Sequence, residues 1–364
     1  MDLTDSTIRK LPAIVIDNDG VIVKGRTIIG RASHVVRTLL EPYSPQNLHI
    51  PMMILTNGGG IPEQEKAEDL NRRLDFQQNP ENQPKLTGEH MFLCHTPLSD
   101  PAIIEEYKDK YVLVSGFFDE LRVAQLYGYK YAVHVEELAS IFPDQAPNDL
   151  LLVSQEKQEK HKENVEKRFQ KPIEDIMEEL NFAAIFIVFG NVFSSMTLQV
   201  FSDIIGSQNG HPKGKRITSK DEQHVKVYSC NRDFIWPNTW PTPRYGPKIF
   251  LLALRSIYQE YYGFDFKVIQ YGKPEKLTFE FTETLLKHKA ARQGIDISNY
   301  YMIGDTPESD IQGANNQGWV SILVRTGIHQ GPGNSKEHPA THVVEDLEEA
   351  INLIFKLENI SKQI

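Results

Sequence analysis

Short apolar runs alternate along the chain with amphipathic stretches. Runs that are rich in Val and Ile and bounded by turn residues are typical of parallel strands joined by crossover helices. The pattern predicts strands over residues 13–17, 51–56, 267–272, 300–305, 320–325 and 342–344. It predicts helices near residues 31–40, 62–75, 276–292, 308–317 and 346–358. We therefore expect an α/β fold built on a parallel sheet.

A long segment separates the second predicted strand from the third. About 200 residues lie between them, whereas a crossover between parallel strands needs only about a dozen. The segment has its own alternation, with apolar runs over 111–115, 131–134, 183–189, 196–204 and 225–230 and a helix over 121–127. It can bury a core of its own, so we predict an inserted α/β domain over residues 86–245. Residues 1–85 and 246–364 would form one discontinuous core domain.

Composition and charge narrow the range of partners. The formal net charge of -10 at pH 7 argues against a nucleic-acid surface, because binding to phosphate backbones needs concentrated Lys and Arg. Cys94 and Cys230 are the only cysteines and form no CxxC pair, which favours a reducing compartment. No apolar run approaches the roughly 20 residues of a membrane-spanning helix. The N-terminal residues lack the features of a signal or transit peptide, which by itself favours a cytoplasmic location.

Polar residues follow four predicted strands at the point where each strand ends. In chain order they are Asp17 and Asp19, Thr56 and Asn57, Lys273, and Asp305 with Asp310. In an open parallel sheet, ligands bind beyond the carboxyl ends of the strands. Two neighbouring carboxylates repel each other and resist desolvation, so the first pair predicts a cation, with Mg²⁺ as the first candidate.

Each of these signals has an ordinary explanation when it stands alone. The Asp17 and Asp19 pair could form a surface turn, Lys273 could be a solvated lysine, and Asp305 could cap the following helix. The glycines 58–60 lack the lysine and serine spacing of a nucleotide-binding P-loop. Because all the signals occur together and in order, the catalytic interpretation is favoured.

The residues at the strand ends, together with their neighbours in sequence, form motifs that resemble those of a known family. The set Asp-x-Asp-Gly-Val, Thr-Asn, Gly-Lys-Pro and Gly-Asp-(x)4-Asp is similar to the motifs of the haloacid dehalogenase (HAD) superfamily. Residues 55–60, 272–274 and 304–314, which contain the last three motifs, resemble subfamily IIA. The stretch from Trp236 to Gly246 resembles the cat eye syndrome critical region protein 5 type of eukaryotic member. The resemblance implies a three-layer α/β/α, Rossmann-like core with a parallel sheet and an inserted α/β cap of the C2 type.

Within this resemblance, the acidic residues have distinct expected roles. Asp17 would be the nucleophile that forms an aspartyl-phosphate, and Asp17 and Asp305 would be direct Mg²⁺ ligands. Asp19 would be a general acid and then a general base, and its backbone carbonyl would be a third ligand. Asp310 would support the metal through water or orient a lysine. The side chain of Asn18 is expected to point away from the metal.

The remaining expected site residues bind the phosphoryl group. Thr56 would donate its hydroxyl to a phosphoryl oxygen, assisted by backbone N–H groups near Asn57 and Gly58. Lys273 would place a positive charge beside the nucleophile and the transferring group. These residues complete a site suited to phosphoryl transfer.

The sequence thus predicts a magnesium-dependent phosphatase that hydrolyses a small phosphorylated metabolite. A homodimer formed through the cap is compatible with this prediction, and members of the resembling type are associated with mitochondria. The rival hypothesis is a catalytically silent scaffold or a subunit of a larger assembly. Its support is the unusual cap sequence at residues 189–193 and the charged run 155–179. The intact acid set opposes it.

Other residues carry weaker signals. Asn231 and Asp233 follow a predicted strand of the insert, where turn formation explains them as well as a site does. Arg244 and Tyr245 lie where the insert returns, and contact with substrate is the less favoured interpretation for them. The tryptophans are predicted to be packing anchors. The charged run 155–179 is predicted to be a solvated helix or a mobile link.

Overall fold

The computed structural model describes residues 9–43, 47–76, 84–147, 154–190, 194–236, 240–362 and 364. The strands in chain order are β1 (Arg9–Ile16), β2 (Val23–Lys24), β3 (Thr27–Ile28), β4 (Met52–Leu55), β5 (Met91–Phe92), β6 (Tyr111–Gly116), β7 (Tyr131–His134), β8 (Phe182–Phe189), β9 (Lys226–Ser229), β10 (Ile235–Trp236), β11 (Arg244–Tyr245), β12 (Val268–Gln270), β13 (Ile295–Gly304), β14 (Val320–Val324) and β15 (His342–Val344).

The α-helices are α1 (Ala32–Leu40), α2 (Glu63–Arg73), α3 (Pro101–Tyr107), α4 (Glu120–Tyr127), α5 (Val135–Ile141), α6 (Gln155–Phe169), α7 (Ile173–Glu179), α8 (Ser195–Ile205), α9 (Lys248–Tyr262), α10 (Lys276–Ala291), α11 (Gln312–Gln317) and α12 (Leu347–Leu357). A π-helical turn, Pro307–Ile311, precedes α11. Residues 191–193, which belong to the unusual cap sequence 189–193, and Pro237 lie outside the described residues.

The first sheet is a parallel sheet with helices on both faces. Its strand order is β15-β14-β13-β1-β4-β5, and each neighbouring pair is parallel. Successive side chains of a strand point to opposite faces. In β1, Ile14 and Ile16 therefore pack with helices α1, α2 and α12, whereas Ala13 and Val15 pack with α10 and α11. This arrangement confirms the expected three-layer α/β/α core.

The second sheet is also parallel and has its own core. Its strand order is β12-β9-β8-β6-β7. Residues Leu113 and Ile185 pack on one face with helices α5 to α9, and Val112 and Phe186 pack on the other face with α3 and α4. The inserted segment therefore forms an α/β unit, as the alternation of its sequence predicted.

The structure corrects the assignment of three segments. The run predicted as the third core strand, 267–272, forms β12, which pairs with β9 in the second sheet. Helix α9, expected in the core domain, packs in the second unit. Conversely β5, within the expected cap range 86–245, pairs with β4 in the first sheet. An apolar run that is buried on both faces suits either sheet, and a two-residue strand is too short to leave a pattern.

The packing of neighbouring residues suggests where the chain crosses between the units. Leu93 packs in the core of the first sheet and Cys94 in the core of the second. Tyr271 still packs in the second unit, whereas Phe279 packs against the first sheet. We therefore propose that the cap comprises residues 94–271, and we call this range the cap below.

The charged run 155–179 forms α6 and α7, so the helical interpretation of this segment is confirmed. Val165 and Ile176 are buried and anchor these helices. Arg168 forms a two-pronged ion pair with Glu137, at 3.0 and 2.7 Å. Within the described part of the chain, no helix combines the length and the apolar character needed to cross a lipid bilayer.

Candidate active site

Three neighbouring strands, β13, β1 and β4, end at one side of a cavity of about 420 Å³. Asp305, Asp17 and Thr56 are the first residues after these strands. Lys273 reaches the same cavity from the segment between β12 of the cap and α10. Every site residue expected from the sequence lines this cavity: Asp17, Asp19, Thr56, Asn57, Gly58, Lys273, Asp305 and Asp310.

Lys273 lies between two carboxylates. Its Nζ is 2.5 Å from Asp17 Oδ1 and 2.7 Å from Asp310 Oδ1, and all three side chains are buried. The contact with Asp310 is an ion pair without hydrogen-bond alignment. Asp310 Oδ2 accepts the backbone N–H groups of Asp305 and Thr306, at 3.1 Å each. Asp310 thus holds Lys273 beside Asp17, which agrees with an orienting role.

Asp305 is enclosed by backbone. Its Oδ2 accepts the N–H of Ile328 at 2.6 Å, and its Oδ1 accepts the hydroxyl of Thr306 at 3.1 Å. A Cβ atom at Gly327 would lie 1.8 Å from Asp305 Oδ2, and one at Gly20 would lie 2.3 Å from it. Glycine at both positions therefore allows the close approach of this carboxylate. The role of Gly327 was not expected, because no local motif marks it.

The carboxylates make this end of the cavity strongly acidic. Single carboxylate oxygens of Asp17, Asp305 and Asp310 all lie within 4.8 Å of one another. Burial raises the pKa of Asp17 well above its usual range despite the opposing effect of Lys273. Burial, and then Asp310, raise the pKa of Asp305 to about 7. Carboxylate oxygens are ligands that Mg²⁺ prefers, and a divalent cation would favour their ionised forms. The residues present therefore fit a magnesium ion.

Asp19 lies in a different environment from Asp17. It is half-buried, lines the cavity, and its Oδ2 accepts the amide of Asn18 at 3.0 Å. Its side chain is not part of the carboxylate group formed by Asp17, Asp305 and Asp310. The two acids of the motif thus differ in exposure and in partners, as unequal roles require.

Thr56 begins the loop that follows β4. Its Oγ1 accepts the N–H of Gly58 at 2.9 Å, so this N–H, which was expected to bind phosphate, has a protein partner in the structure. The Thr56 hydroxyl accepts that bond and keeps its own hydrogen as a donor. The hydroxyl is therefore the better placed of the two groups for contact with a phosphoryl oxygen.

Asn57 connects the core to the cap. Its Oδ1 accepts the Lys273 N–H at 2.7 Å, and its Nδ2 donates to Asp233 Oδ1 at 2.7 Å and to the Lys273 carbonyl at 3.2 Å. The Asn231 amide donates to the Asn57 carbonyl. Burial raises the pKa of Asp233 to about 6, although the bond from Asn57 opposes this. Because Asp233 N–H also donates to Asn231 Oδ1 at 2.7 Å, the turn and site interpretations both hold.

The cap supplies an apolar side to the cavity. Its lining residues Phe118, Phe189, Ile235, Trp236 and Pro247 are called the apolar wall below. The prediction that tryptophans are packing anchors is therefore wrong for Trp236, which is 38% exposed. Trp240 is also exposed, and Trp319 is the one that packs in the core.

Two other residues near the apolar wall do not line the cavity. Arg244 and Tyr245 form β11, which pairs with β10, and both are exposed. Neither belongs to the residues described around the cavity, in agreement with the favoured interpretation.

Helix α2 forms a charged side of the cavity. Lys66, Asp69 and Arg73 lie three and four residues apart and therefore share one helix face, which lines the cavity. Arg73 pairs with Asp69 at 2.7 Å and donates to the Gly25 carbonyl at 3.1 Å. This face of α2 thus carries two basic side chains, Lys66 and Arg73, and Arg73 is fixed by Asp69 and the Gly25 carbonyl.

Two family models match two separate ranges of the chain, and the first range extends from the first-sheet domain into the cap. The model described as haloacid dehalogenase-like hydrolase matches residues 14–130, and the model described as HAD-hydrolase-like matches residues 270–350. The chain belongs to the haloacid dehalogenase-like hydrolases. The matched ranges contain Asp17 and Thr56 in the first part and Lys273 and Asp305 in the second. The descriptions of both models name hydrolases.

Curated relatives of this HAD-like hydrolase include two yeast proteins. It is 32% identical over 342 residues to the cardiolipin synthase (CMP-forming) / mitochondrial hydrolase fusion protein of Schizosaccharomyces pombe, with 92% of this chain and 51% of the relative covered. The chain thus spans about half the length of that relative. It is 28% identical over 366 residues to a mitochondrial hydrolase of Saccharomyces cerevisiae, with 95% and 96% covered.

Solved structures with the same fold include an enzyme that contains magnesium. The glycerol phosphate phosphatase of Mycobacterium tuberculosis, in complex with magnesium, matches with a TM-score of 0.55 at 17% identity. The match covers 93% of this chain and 75% of that structure. At this identity the likeness shows a shared fold.

Proposed function

We propose that this HAD-like hydrolase is a magnesium-dependent phosphatase, which hydrolyses a small-molecule phosphomonoester through an aspartyl-phosphate on Asp17. The observation that carries the proposal is the contact of Lys273 Nζ with Asp17 Oδ1, at 2.5 Å, beside two further buried carboxylates. A buried acid cluster is costly unless a cation is bound, and a positioned lysine favours an anionic substrate.

In the first step, the Asp17 carboxylate attacks phosphorus and the ester P–O bond breaks. Lys273 stabilises the negative charge that would otherwise oppose this attack. The Thr56 hydroxyl donates to a phosphoryl oxygen and orients the group. The products of this step are the aspartyl-phosphate and the leaving alcohol.

Asp19 handles the protons of both steps. Its carboxyl proton passes to the leaving oxygen as the ester bond breaks. Asp19 then accepts a proton from the water that attacks the aspartyl-phosphate, which releases phosphate and restores the Asp17 carboxylate. Its half-buried position at the cavity suits repeated proton exchange.

We propose that Asp17 and Asp305 hold the Mg²⁺ ion, with the backbone carbonyl of Asp19 as a third ligand. Bound there, the ion would neutralise charge on the phosphoryl oxygens and orient them. Asp310 would act indirectly, by orienting Lys273 and the Asp305 backbone through its contacts with them.

The cavity size and the relatives guide the proposals on substrate and compartment. About 420 Å³ between core and cap suits a small phosphorylated metabolite, and the magnesium-containing neighbour acts, by its name, on glycerol phosphate. Both yeast relatives are named mitochondrial hydrolases. We therefore propose a mitochondrial compartment for this chain.

The test is phosphate release from a panel of phosphorylated metabolites after chelation and after return of Mg²⁺. We expect turnover to depend on Mg²⁺ and to fall by at least about a thousandfold in Asp17→Asn, because that variant lacks the nucleophile. Glu308→Gln, an exposed carboxylate near Asp310, is the matched control and should keep its turnover.

Full turnover in chelator or in Asp17→Asn would contradict the mechanism. A protein that neither binds Mg²⁺ nor releases phosphate, and that purifies in a stable hetero-complex, would support the scaffold hypothesis instead.

A further inference from the structure

The apolar wall is an exposed surface that belongs to the catalytic cavity. Phe118 is 64% exposed and Ile235 is 42% exposed, although both are cap residues at a site of predicted phosphoryl chemistry. Large apolar side chains that stay in water at a concave site are typical of ligand-binding surfaces. The wall and the buried carboxylates line one continuous cavity, so an ester bound through its phosphoryl group would have its leaving group near the wall.

The Phe118 part of the wall is held in place by hydrogen bonds of its backbone and of the next residue. Both carboxylate oxygens of the buried Glu120 accept the Phe118 N–H, at 2.8 and 2.9 Å. The Asp119 N–H donates to the Gly60 carbonyl in the core at 2.9 Å. The Phe118 ring stacks on that of Phe189, with centroids 5.7 Å apart and planes at 24°. The position of this aromatic pair is therefore set before any ligand binds.

The Trp236 part of the wall is held by a short hairpin. Strand β10 pairs with β11, and the indole N–H of Trp236 donates to the Tyr245 carbonyl at 3.2 Å. The only polar group of this side chain therefore has a protein partner, and what Trp236 offers to a ligand is apolar ring surface. The other wall residues have no polar side-chain atoms.

We infer that the apolar wall, in particular Phe118 and Trp236, binds an apolar part of the leaving group and selects phosphomonoesters that carry one. This inference rests on the proposed phosphatase function and names its substrate class. The wall has no side-chain donor or acceptor left for hydroxyl groups, so a polyhydroxylated leaving group would gain nothing by contact with it. An apolar group would instead remove the exposed ring surface from water.

The test compares 3-phenylpropyl phosphate with n-propyl phosphate in the magnesium-loaded protein. The two esters share the same three-carbon link to the phosphoryl group, so their leaving alcohols differ little in acidity and differ in the ring. We expect kcat/KM to be about tenfold higher for the phenyl ester, which is about 1.4 kcal/mol. The difference should lie mainly in KM, because the ring contacts are made in substrate and transition state alike.

Variants of the wall should reduce this ratio without changing the chemistry. In Phe118→Ala and Trp236→Ala we expect the ratio to fall to about two, because kcat/KM for the phenyl ester should fall more than kcat/KM for propyl phosphate. Trp236→Phe keeps a ring and should keep most of the ratio. Tyr245→Ala is the matched control, since Tyr245 is an exposed aromatic of the same hairpin that does not line the cavity.

A wild-type ratio near one would overturn the inference, as would equal losses on both esters in the alanine variants. The proposed function has a separate readout. If neither these esters nor p-nitrophenyl phosphate were hydrolysed, the phosphatase proposal would fail. Calorimetric binding of the two esters to Asp17→Asn would still test the wall, and equal affinities would reject it.

Discussion

Lys273 and Glu120 are buried ionisable side chains whose surroundings favour different forms: the charged form for Lys273 and the neutral form for Glu120. Burial lowers the pKa of Lys273, but Asp17 and Asp310 raise it more, so its pKa lies above the usual range and the lysine stays charged. Among the residues that the structure describes, Glu120 forms no ion pair with a Lys or Arg side chain. Burial raises the pKa of Glu120 to about 7, and hydrogen bonds from the Phe118 backbone only partly oppose this. For these two side chains, nearby opposite charges thus favour the charged form of Lys273, and burial without them favours the neutral form of Glu120.

Glu120 should make stability depend on pH. Its pKa is about 7 in the folded chain and 4.5 in the absence of structure, so between these values the folded state binds more protons. The free energy of unfolding should therefore fall as pH rises through this window, by up to about 3 kcal/mol from this group. In Glu120→Gln this part of the pH dependence should be lost, as measured by urea unfolding at pH 4.5, 6 and 8.

Glu308→Gln is a suitable control for that series, because Glu308 is exposed and should leave the profile of the wild type unchanged. Parallel profiles for the wild type and Glu120→Gln would show that folding does not raise the pKa of Glu120.

At the scale of elements, the loops after β4 and β9 meet through Asn57. The Asn57 side chain forms hydrogen bonds with both the N–H and the carbonyl of Lys273. Asn57 also forms hydrogen bonds with Asp233 and Asn231 of the cap. Hydrogen bonds to buried polar groups are expensive to leave unmade. The position of the Lys273 backbone therefore depends on one core loop and one cap loop together.

Replacement of Asn57 by Ala should displace Lys273 and lower turnover. The variant leaves the Lys273 N–H and the half-buried Asp233 carboxylate without their partner. We therefore expect about a tenfold loss in kcat/KM and about 1–3 kcal/mol of lost stability. Steady-state kinetics and urea unfolding measure the two effects. Asn299→Ala, which removes an exposed amide hydrogen bond to Glu358, should change neither by much. Unchanged kinetics in Asn57→Ala would show that Lys273 is positioned by its carboxylate partners alone.

At the scale of the whole molecule, the site is assembled from distant parts of the chain. Asp17 and Asp305 come from neighbouring strands of the first sheet, and Lys273 comes from the segment that leaves the cap. The acid cluster holds three buried carboxylates against one ammonium, so ionisation of all three leaves more negative than positive charge there. A bound divalent cation should therefore stabilise the fold as well as the reaction.

Magnesium should raise the melting temperature of the wild type. Binding to the folded state alone contributes about 2.7 kcal/mol when the ion is at a hundred times its Kd, which for a chain of this size is a shift of several degrees. Differential scanning fluorimetry with and without Mg²⁺ measures the shift. Asp305→Asn should lose most of it, whereas Glu308→Gln should keep it. A shift of equal size in Asp305→Asn would place the ion elsewhere.

The sequence by itself determined most of the elements of the first sheet and the residues of the expected site. Strands such as Val320–Val324 and His342–Val344 agree with their predicted ranges within a residue, because apolar runs and turn residues are local signals. The expected site residues all line one cavity, since the carboxyl ends of adjacent parallel strands lie together. The motifs that resemble the family lie at those strand ends, so the same residues indicate both the site and the family.

Only the tertiary structure decided which sheet each strand joins and what surrounds the site. Val268–Gln270 joins the cap sheet, although its apolar run would also suit the core. The bond between Asn57 and Asp233 spans 176 residues and leaves no periodic trace in the sequence. The apolar wall combines Phe118 with Trp236 in the same way. Contacts between residues so far apart depend on how two sheets pack, which local periodicity does not encode.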